Sequence, residues 1–189
     1  MISFKQFLVK KNANFLSNSH KGYSLIEILV VVMIMCILAS VGYPSYMVSV
    51  KKSRMMSHAA LVKNLKDSQE EHFLHWGTYS ENLIELSVGV EHKNGCSYKN
   101  TDVGSYYECP NGSRFGIFNH GANAQAGDKE IRYVQVFKEY YDNGVAFHPG
   151  DIACFSKGNV ARQACKTLGG TEYKAIGWEY INVVRLNER

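Results

Sequence analysis

Residues 22–43 read GYSLIEILVVVMIMCILASVGY, and this apolar stretch decides how the rest of the chain is organised. The 21 residues from Tyr23 to Tyr43 carry one charge, that of Glu27. A helix of this length rises roughly 30 Å, which is the thickness of the hydrocarbon core of a bilayer. The segment is rich in Val and Ile, but in lipid only a helix satisfies its own backbone polar groups. The sequence therefore predicts a membrane-spanning helix over residues 23–43.

The charge of the chain is unevenly placed. Residues 1–22 contain four lysines and no acid, and they account for the whole formal net charge of +4. The remaining residues carry 17 bases and 17 acids, so bulk charge does not support a nucleic-acid-binding protein. Basic residues before an apolar run hold that end of the chain in the cytoplasm.

An ordinary secretory signal, cut near residue 41, is one interpretation of this region. Two features count against it, because the basic segment is unusually long for such a signal and Glu27 lies inside the front of the apolar run. A charge at the centre of a bilayer costs about 2.5–3.5 kcal/mol on insertion scales. An acid in this position indicates a functional site that needs a partner, unless its side chain reaches the interface from the nearby helix end.

The string Lys21-Gly22-Tyr23-Ser24-Leu25-Ile26-Glu27, followed by the apolar run, resembles the class III signal of type IV pilins and type II secretion pseudopilins. The resemblance implies that a prepilin peptidase cleaves between Gly22 and Tyr23, that Tyr23 is N-methylated, and that the apolar run is retained. The family usually has Phe in place of Tyr23, and the aromatic character is preserved. The resemblance also implies that Glu27 neutralises the N-terminal amine of a neighbouring subunit, which sets axial register and drives assembly.

The helix is expected to continue past the membrane. Pro44 predicts a bend just after the apolar run, and the family often has Pro at this position. Residues 45–76 contain no Gly or Pro, and Gly77 is a plausible stop. One apolar face at helical spacing should pack on a sheet. It comprises Met55, Ala59, Val62, Leu65, Phe73 and Trp76. The basic run at residues 51–54 is expected to form a solvated or interfacial collar.

From residue 81 the pattern changes to strands and turns. The dipeptides Asn94-Gly95, Asn111-Gly112 and Asn143-Gly144 are typical of hairpins. Four short runs are rich in aromatic and β-branched residues. They are Arg114–Phe118, Ile131–Phe137, Val145–Phe147 and Trp178–Val184. The prediction is an α+β fold, in which about four antiparallel strands lie on the second half of the long helix. Residues 119–130 are small and polar and are expected to form an exposed loop.

Five cysteines are present, and Cys36 in the apolar run is most simply a small filler. The other four lie in an exported head, where an even number implies disulfides with three possible connectivities. The local pairs Cys96–Cys109 and Cys154–Cys165 are favoured, because each closes a short loop worth about 3 kcal/mol. The second pair would resemble the C-terminal disulfide loop of pilins. Zinc binding is disfavoured because no C-x-x-C pair occurs.

No catalytic constellation emerges. Glu71, His72 and His75 are near neighbours on the predicted helix, but the sequence places no further metal ligand with them. No phosphate-binding loop, nucleophile elbow or H-E-x-x-H motif is present. We expect a protein that is not an enzyme and has neither cofactor nor metal.

These features predict a prepilin with three parts: a cleaved leader over 1–22, a transmembrane and filament-core helix over 23–43, and a periplasmic head over 44–189. Its expected role is that of a structural subunit of a type IV pilus or pilus-like filament. The expected partners are copies of itself, other pilins, prepilin peptidase and the inner-membrane assembly platform. Before assembly the leader would be cytoplasmic and the head periplasmic; afterwards the subunit would lie in an extracellular pilus or a periplasmic pseudopilus.

Three alternatives stay open. A pseudopilin of a type II secretion system shares the stem, although the head cysteines favour a pilus. A minor pilin that binds DNA or a host surface would need a recognition face on the folded head, which for DNA means clustered basic residues. A secreted enzyme behind an ordinary signal peptide would begin near residue 41, whereas a processed prepilin begins at Tyr23.

Overall fold

A computed structural model describes residues 22–86, 88, 95–142 and 144–185. The chain divides into two compact units, of which the first ends at Val41 and the second begins at Gly42. The helix α1, Leu25–Trp76, is 52 residues long and confirms the predicted long helix. It ends one residue before Gly77, whose φ of 71° suits a residue without a side chain and whose N–H donates to the carbonyl of Phe73 at 2.8 Å.

The second unit contains a 3₁₀ turn at Leu83–Glu85, and among the described residues it has ten strands and a short helix. The strands are β1 Ser97–Thr101, β2 Gly104–Glu108, β3 Arg114–Phe118, β4 Asn123–Gly127, β5 Ile131–Val136, β6 Tyr140–Asp142, β7 Val145–Phe147, β8 Ile152–Ser156, β9 Thr171–Lys174 and β10 Tyr180–Val184. The helix α2, Asn159–Lys166, lies between β8 and β9.

Eight of these strands form one antiparallel sheet in the order β1-β2-β3-β4-β5-β8-β10-β9, and β6 pairs with β7 as a separate hairpin. The predicted α+β fold is thus confirmed, but the expectation of about four strands was too low. The turn predicted at Asn111-Gly112 joins β2 to β3, and Gly112 adopts a φ of 79°. Asn94 and Asn143, the first residues of the other two predicted turns, lie outside the described residues.

The strand β4 corrects the prediction of an exposed loop over residues 119–130. All five of its residues are buried, and it pairs with β3 and β5 near the centre of the sheet. Ala124 and Ala126 are fully buried in the cluster that contains Val62 and Leu65 of α1. Their small side chains pack in the core with these residues of α1. Small residues, which are typical of a loop, here form a buried strand of the core.

The apolar face of α1 is confirmed in its first part. Met55, Val62 and Leu65 are at most 1% exposed. The prediction is wrong for the last turns, because Phe73 is 42% and Trp76 is 75% exposed. The buried face ends instead on a polar side chain, Gln69, which is fully buried.

The opposite face of the sheet carries a second core. Val134 and Val136 of β5 pack with Phe155 of β8 and with Val145 and Phe147 of the small hairpin. In the second unit α1 therefore packs on one face of the sheet, and the β6–β7 hairpin packs on part of the other.

Candidate functional site

The predicted processing segment is exposed where the structure describes it. Gly22, Tyr23 and Ser24 precede α1, and Tyr23 is 77% exposed. No atom lies within 4 Å of the position that a Cβ of Gly22 would take. Lys21 and the rest of the leader lie outside the described residues. On its described side, the bond between Gly22 and Tyr23 is therefore open to an enzyme.

Glu27 lies in the first turn of α1. The helix begins on the carbonyl of Ser24, which accepts the N–H of Glu27 at 3.0 Å and that of Ile28 at 3.3 Å. A carboxylate is favoured near the positive end of a helix dipole. Within the described residues no cation forms an ion pair with Glu27.

The first half of α1 exposes a long apolar surface. Its most apolar 18 residues have a mean hydropathy of 2.8, and none of them is buried. Within the described residues, α1 is the one helix that is long and apolar enough to cross a membrane. Apolar area left in water costs about 25 cal/mol per Å². A surface of this kind needs lipid or other apolar helices as its environment.

Pro44 lies inside α1, and the helix assignment continues on both sides of it. Because proline has no N–H, the carbonyl of Ser40 lacks the partner it would find four residues later. The Ser40 hydroxyl donates to the carbonyl of Ile37 at 2.8 Å. This turn therefore has fewer backbone bonds than its neighbours.

Two disulfides brace the head. Cys96 and Cys109 flank the β1–β2 hairpin, with a Cα–Cα distance of 4.0 Å. Cys154 of β8 and Cys165 of α2 are bonded with a Cα–Cα distance of 5.5 Å. Both cysteines of the second pair are at most 1% exposed, and the sulfur of Cys154 lies 3.5 Å from that of Met55. The second disulfide therefore joins the short helix to the sheet inside the core.

The prediction of a solvated or interfacial collar for the basic run after the apolar segment holds only in part. Lys51 is 8% exposed and forms an ion pair with Glu130, in the turn between β4 and β5. About two helical turns further along α1, His58 lies 4.0 Å from Asp128 in the same β4–β5 connection. Residues 52–54 are exposed. The helix thus contacts this turn through Lys51 and His58, two contacts that local sequence could not indicate.

The histidines of α1 do not form a metal-binding site with other described residues. The Nδ1 atom of His72 is 2.8 Å from the carbonyl of Thr78, and its Nε2 atom is 3.9 Å from Glu85. These contacts give His72 a role in fixing the segment after the helix. Over the described ranges, no group of three His, Cys, Asp or Glu side chains could hold a metal ion.

A site that sequence reasoning missed lies on the sheet face opposite α1. Arg114 pairs with Gly127, which pairs in turn with Arg132, so the three residues form a row across β3, β4 and β5. Lys157 and Arg132 both lie against the ring of Trp178. This basic cluster depends on strand register, which could not be derived while β4 was assigned to a loop.

A long helix with an apolar first half, followed by a helix-backed antiparallel sheet, defines an α+β protein with a pilin-like fold. A family match covers the N-terminal segment alone. Residues 17–43 match the family described as the prokaryotic N-terminal methylation motif, which is the class III signal of type IV pilins. No curated protein and no solved structure matches the chain.

Proposed function

We propose that this chain is a prepilin, processed between Gly22 and Tyr23 and assembled as a structural subunit of a type IV pilus or pilus-like filament. Three observations support the proposal: the methylation motif at residues 17–43, the exposed apolar half of α1, and the pilin-like head. The position of Glu27 carries it, because this acid lies at the front of the apolar helix without a cation of its own chain among the described residues.

Processing and assembly would be linked through charge. Cleavage creates an α-amino group on Tyr23 beside the lipid, and methylation leaves that group cationic. A cation and a carboxylate that are each costly in hydrocarbon become less costly as a hydrogen-bonded pair. Glu27 of one subunit and the Tyr23 amine of its neighbour would therefore fix the axial register. The apolar helices would then pack together as the filament core, with the heads outside.

Mass spectrometry of the mature protein tests the processing step. We expect an N-terminus at methylated Tyr23, and we expect Gly22→Leu to retain the leader. Gly42→Leu is a matched control, because a Cβ at either glycine would meet no atom within 4 Å. A mature chain that begins near residue 41 would instead indicate a secreted protein that has lost its apolar segment.

A pseudopilin of a secretion system is the second candidate, since it shares the stem. The two disulfides of the head favour the pilus, because they stabilise a domain that stays outside the cell. Imaging of cells that lack the gene, with protein secretion measured in parallel, distinguishes the two. Lost filaments with normal secretion support the pilus; lost secretion with normal filaments supports the pseudopilin.

A further inference from the structure

The basic cluster opposite α1 lines a groove of about 330 Å³. Its wall contains four cations and two carboxylates. The cations are Arg114, Lys129, Arg132 and Lys157, and the carboxylates are Glu108 and Asp128. All residues that line the groove belong to the second unit.

The floor of the groove is a glycine. Gly127 stands between Arg114 and Arg132 in the strand register. A Cβ at this position would lie 2.5 Å from the Cα of Arg132, so the backbones are too close for a side chain. The two arginines therefore lie on the same face of the sheet, on either side of a residue without a side chain.

The two carboxylates are already engaged. Glu108 accepts hydrogen bonds from Arg114, 2.7 Å from its Nε atom, and it also pairs with Lys99. The Oδ1 atom of Asp128 accepts the backbone N–H groups of Glu130 and Ile131 at 2.8 and 2.9 Å. These acids therefore do little to neutralise the other three cations.

Lys129, Arg132 and Lys157 have no carboxylate within 4.0 Å in the part of the chain that the structure describes. Trp178 holds two of them, with its ring centroid 4.8 Å from the guanidinium of Arg132 and 5.3 Å from the ammonium of Lys157. A guanidinium has five N–H donors, and among the described residues Gln125 accepts from one nitrogen of Arg132, at 3.2 Å. Burial, followed by the charge of Arg114, lowers the pKa of Arg132, and the charge of Asp142 opposes this in part. The fold thus holds this cation at a cost that an anion would offset.

We propose that this groove binds a phosphomonoester group carried on a small organic molecule. A phosphomonoester has a charge of about −1.5 to −2 and three strong acceptor oxygens, which matches a planar guanidinium flanked by two ammonium groups. The groove is larger than a phosphate alone, which leaves room for an organic body. The groove lies within a single subunit, so binding there does not depend on the proposed role in a filament.

Fluorescence of Trp178 reports binding directly. The chain has two tryptophans, so Trp76→Phe leaves Trp178 as the sole reporter. The full chain in non-ionic micelles is titrated with glycerol phosphate, and in parallel with glycerol and with glycerate. We expect a saturable change with glycerol phosphate that the other two do not give.

Two variants locate the site. Lys157→Gln changes an exposed side chain, and Arg132→Gln changes a half-buried one whose fold is checked by near-ultraviolet circular dichroism. Each should weaken binding about tenfold, since each removes a charge-assisted hydrogen bond. Lys63→Gln, an exposed lysine of α1, is the matched control and should leave affinity unchanged.

Several results would overturn the proposal. One is binding of glycerol or glycerate as tight as that of glycerol phosphate, and another is equal weakening by Lys63→Gln, which would indicate bulk charge. A third is saturable binding of a single-stranded oligonucleotide without terminal phosphate that glycerol phosphate does not displace. That outcome would make the groove a nucleic-acid surface. Absence of any saturable change in the Trp76→Phe chain would also contradict it.

Discussion

Gln69 holds both backbone polar groups of Ser80 with the two ends of its side-chain amide. Its Nε2 atom donates to the Ser80 carbonyl at 2.8 Å, and its Oε1 atom accepts the Ser80 N–H at 2.9 Å. Both residues are at most 3% exposed, so water cannot substitute for either bond. This pair fixes the segment after α1 against the helix, at the point where the apolar face ends.

Replacing Gln69 by Leu should lower the free energy of unfolding of the head by about 2–4 kcal/mol, because it leaves two buried backbone groups without partners. Urea unfolding of the full chain in non-ionic micelles, followed by near-ultraviolet circular dichroism, measures the loss. Glu71→Leu is the control, since Glu71 is exposed on the same helix and should change stability little. Equal effects of the two substitutions would show that the Ser80 bonds contribute nothing.

Removing the two disulfides should have unequal effects. The pairs span 13 and 11 residues, so the chain-entropy contribution is about 3 kcal/mol for each. The double substitution to Ala at Cys154 and Cys165 should cost more than that at Cys96 and Cys109, because only the former empties a buried position beside Met55. The same unfolding assay gives both values. A larger loss for the hairpin pair would contradict the assignment of Cys154–Cys165 to the core.

The contact between α1 and the β4–β5 turn should be sensitive to acid. Burial opposes ionisation of Asp128, but His58, the N–H of Ile131 and the charge of Lys51 outweigh it and hold its pKa below the ordinary value of 3.8. A carboxyl group whose pKa is lower in the folded than in the unfolded chain stabilises the fold at pH values above its unfolded-state pKa. This contribution is lost as the pH falls through the folded-state pKa.

Asp128→Asn should therefore lower the thermal midpoint most near neutral pH, and the difference from the parent should vanish as pH falls below the folded pKa of Asp128. Thermal unfolding followed as a function of pH measures this difference. Asp67→Asn, at an exposed position of α1, should show no such pH-dependent difference. A difference for Asp128→Asn that persists unchanged in acid would show that its effect is not electrostatic.

The parts of the fold that sequence could predict are those with a local physical cause. The apolar run, the helix stop at Gly77 and the runs that became β3 and β7 each follow from composition and spacing. The strand β4 could not be predicted, because its need for small residues comes from neighbouring elements and not from the local sequence pattern. Gln69 was missed for a related reason: helical periodicity identifies apolar positions, whereas this residue is buried because of a partner eleven residues away.

The candidate site divides in the same way. Gly22, Tyr23 and Glu27 lie in one contiguous motif, so sequence alone predicts their roles. The groove around Trp178 combines residues from β3, β5 and the segments beside β8 and β10, and only the strand register brings them together.

We propose that Glu27 is tolerated in an apolar helix because the amine of a neighbouring Tyr23 supplies its counter-charge. The most direct measurement is the yield of filaments from cells that carry Glu27→Gln, compared with Glu27→Asp, with the mature N-terminus of each variant checked by mass spectrometry. We expect both variants to be processed, Glu27→Gln to assemble poorly, and Glu27→Asp to retain much of the yield because it keeps the charge. Normal filament yield from a processed Glu27→Gln subunit would contradict the account.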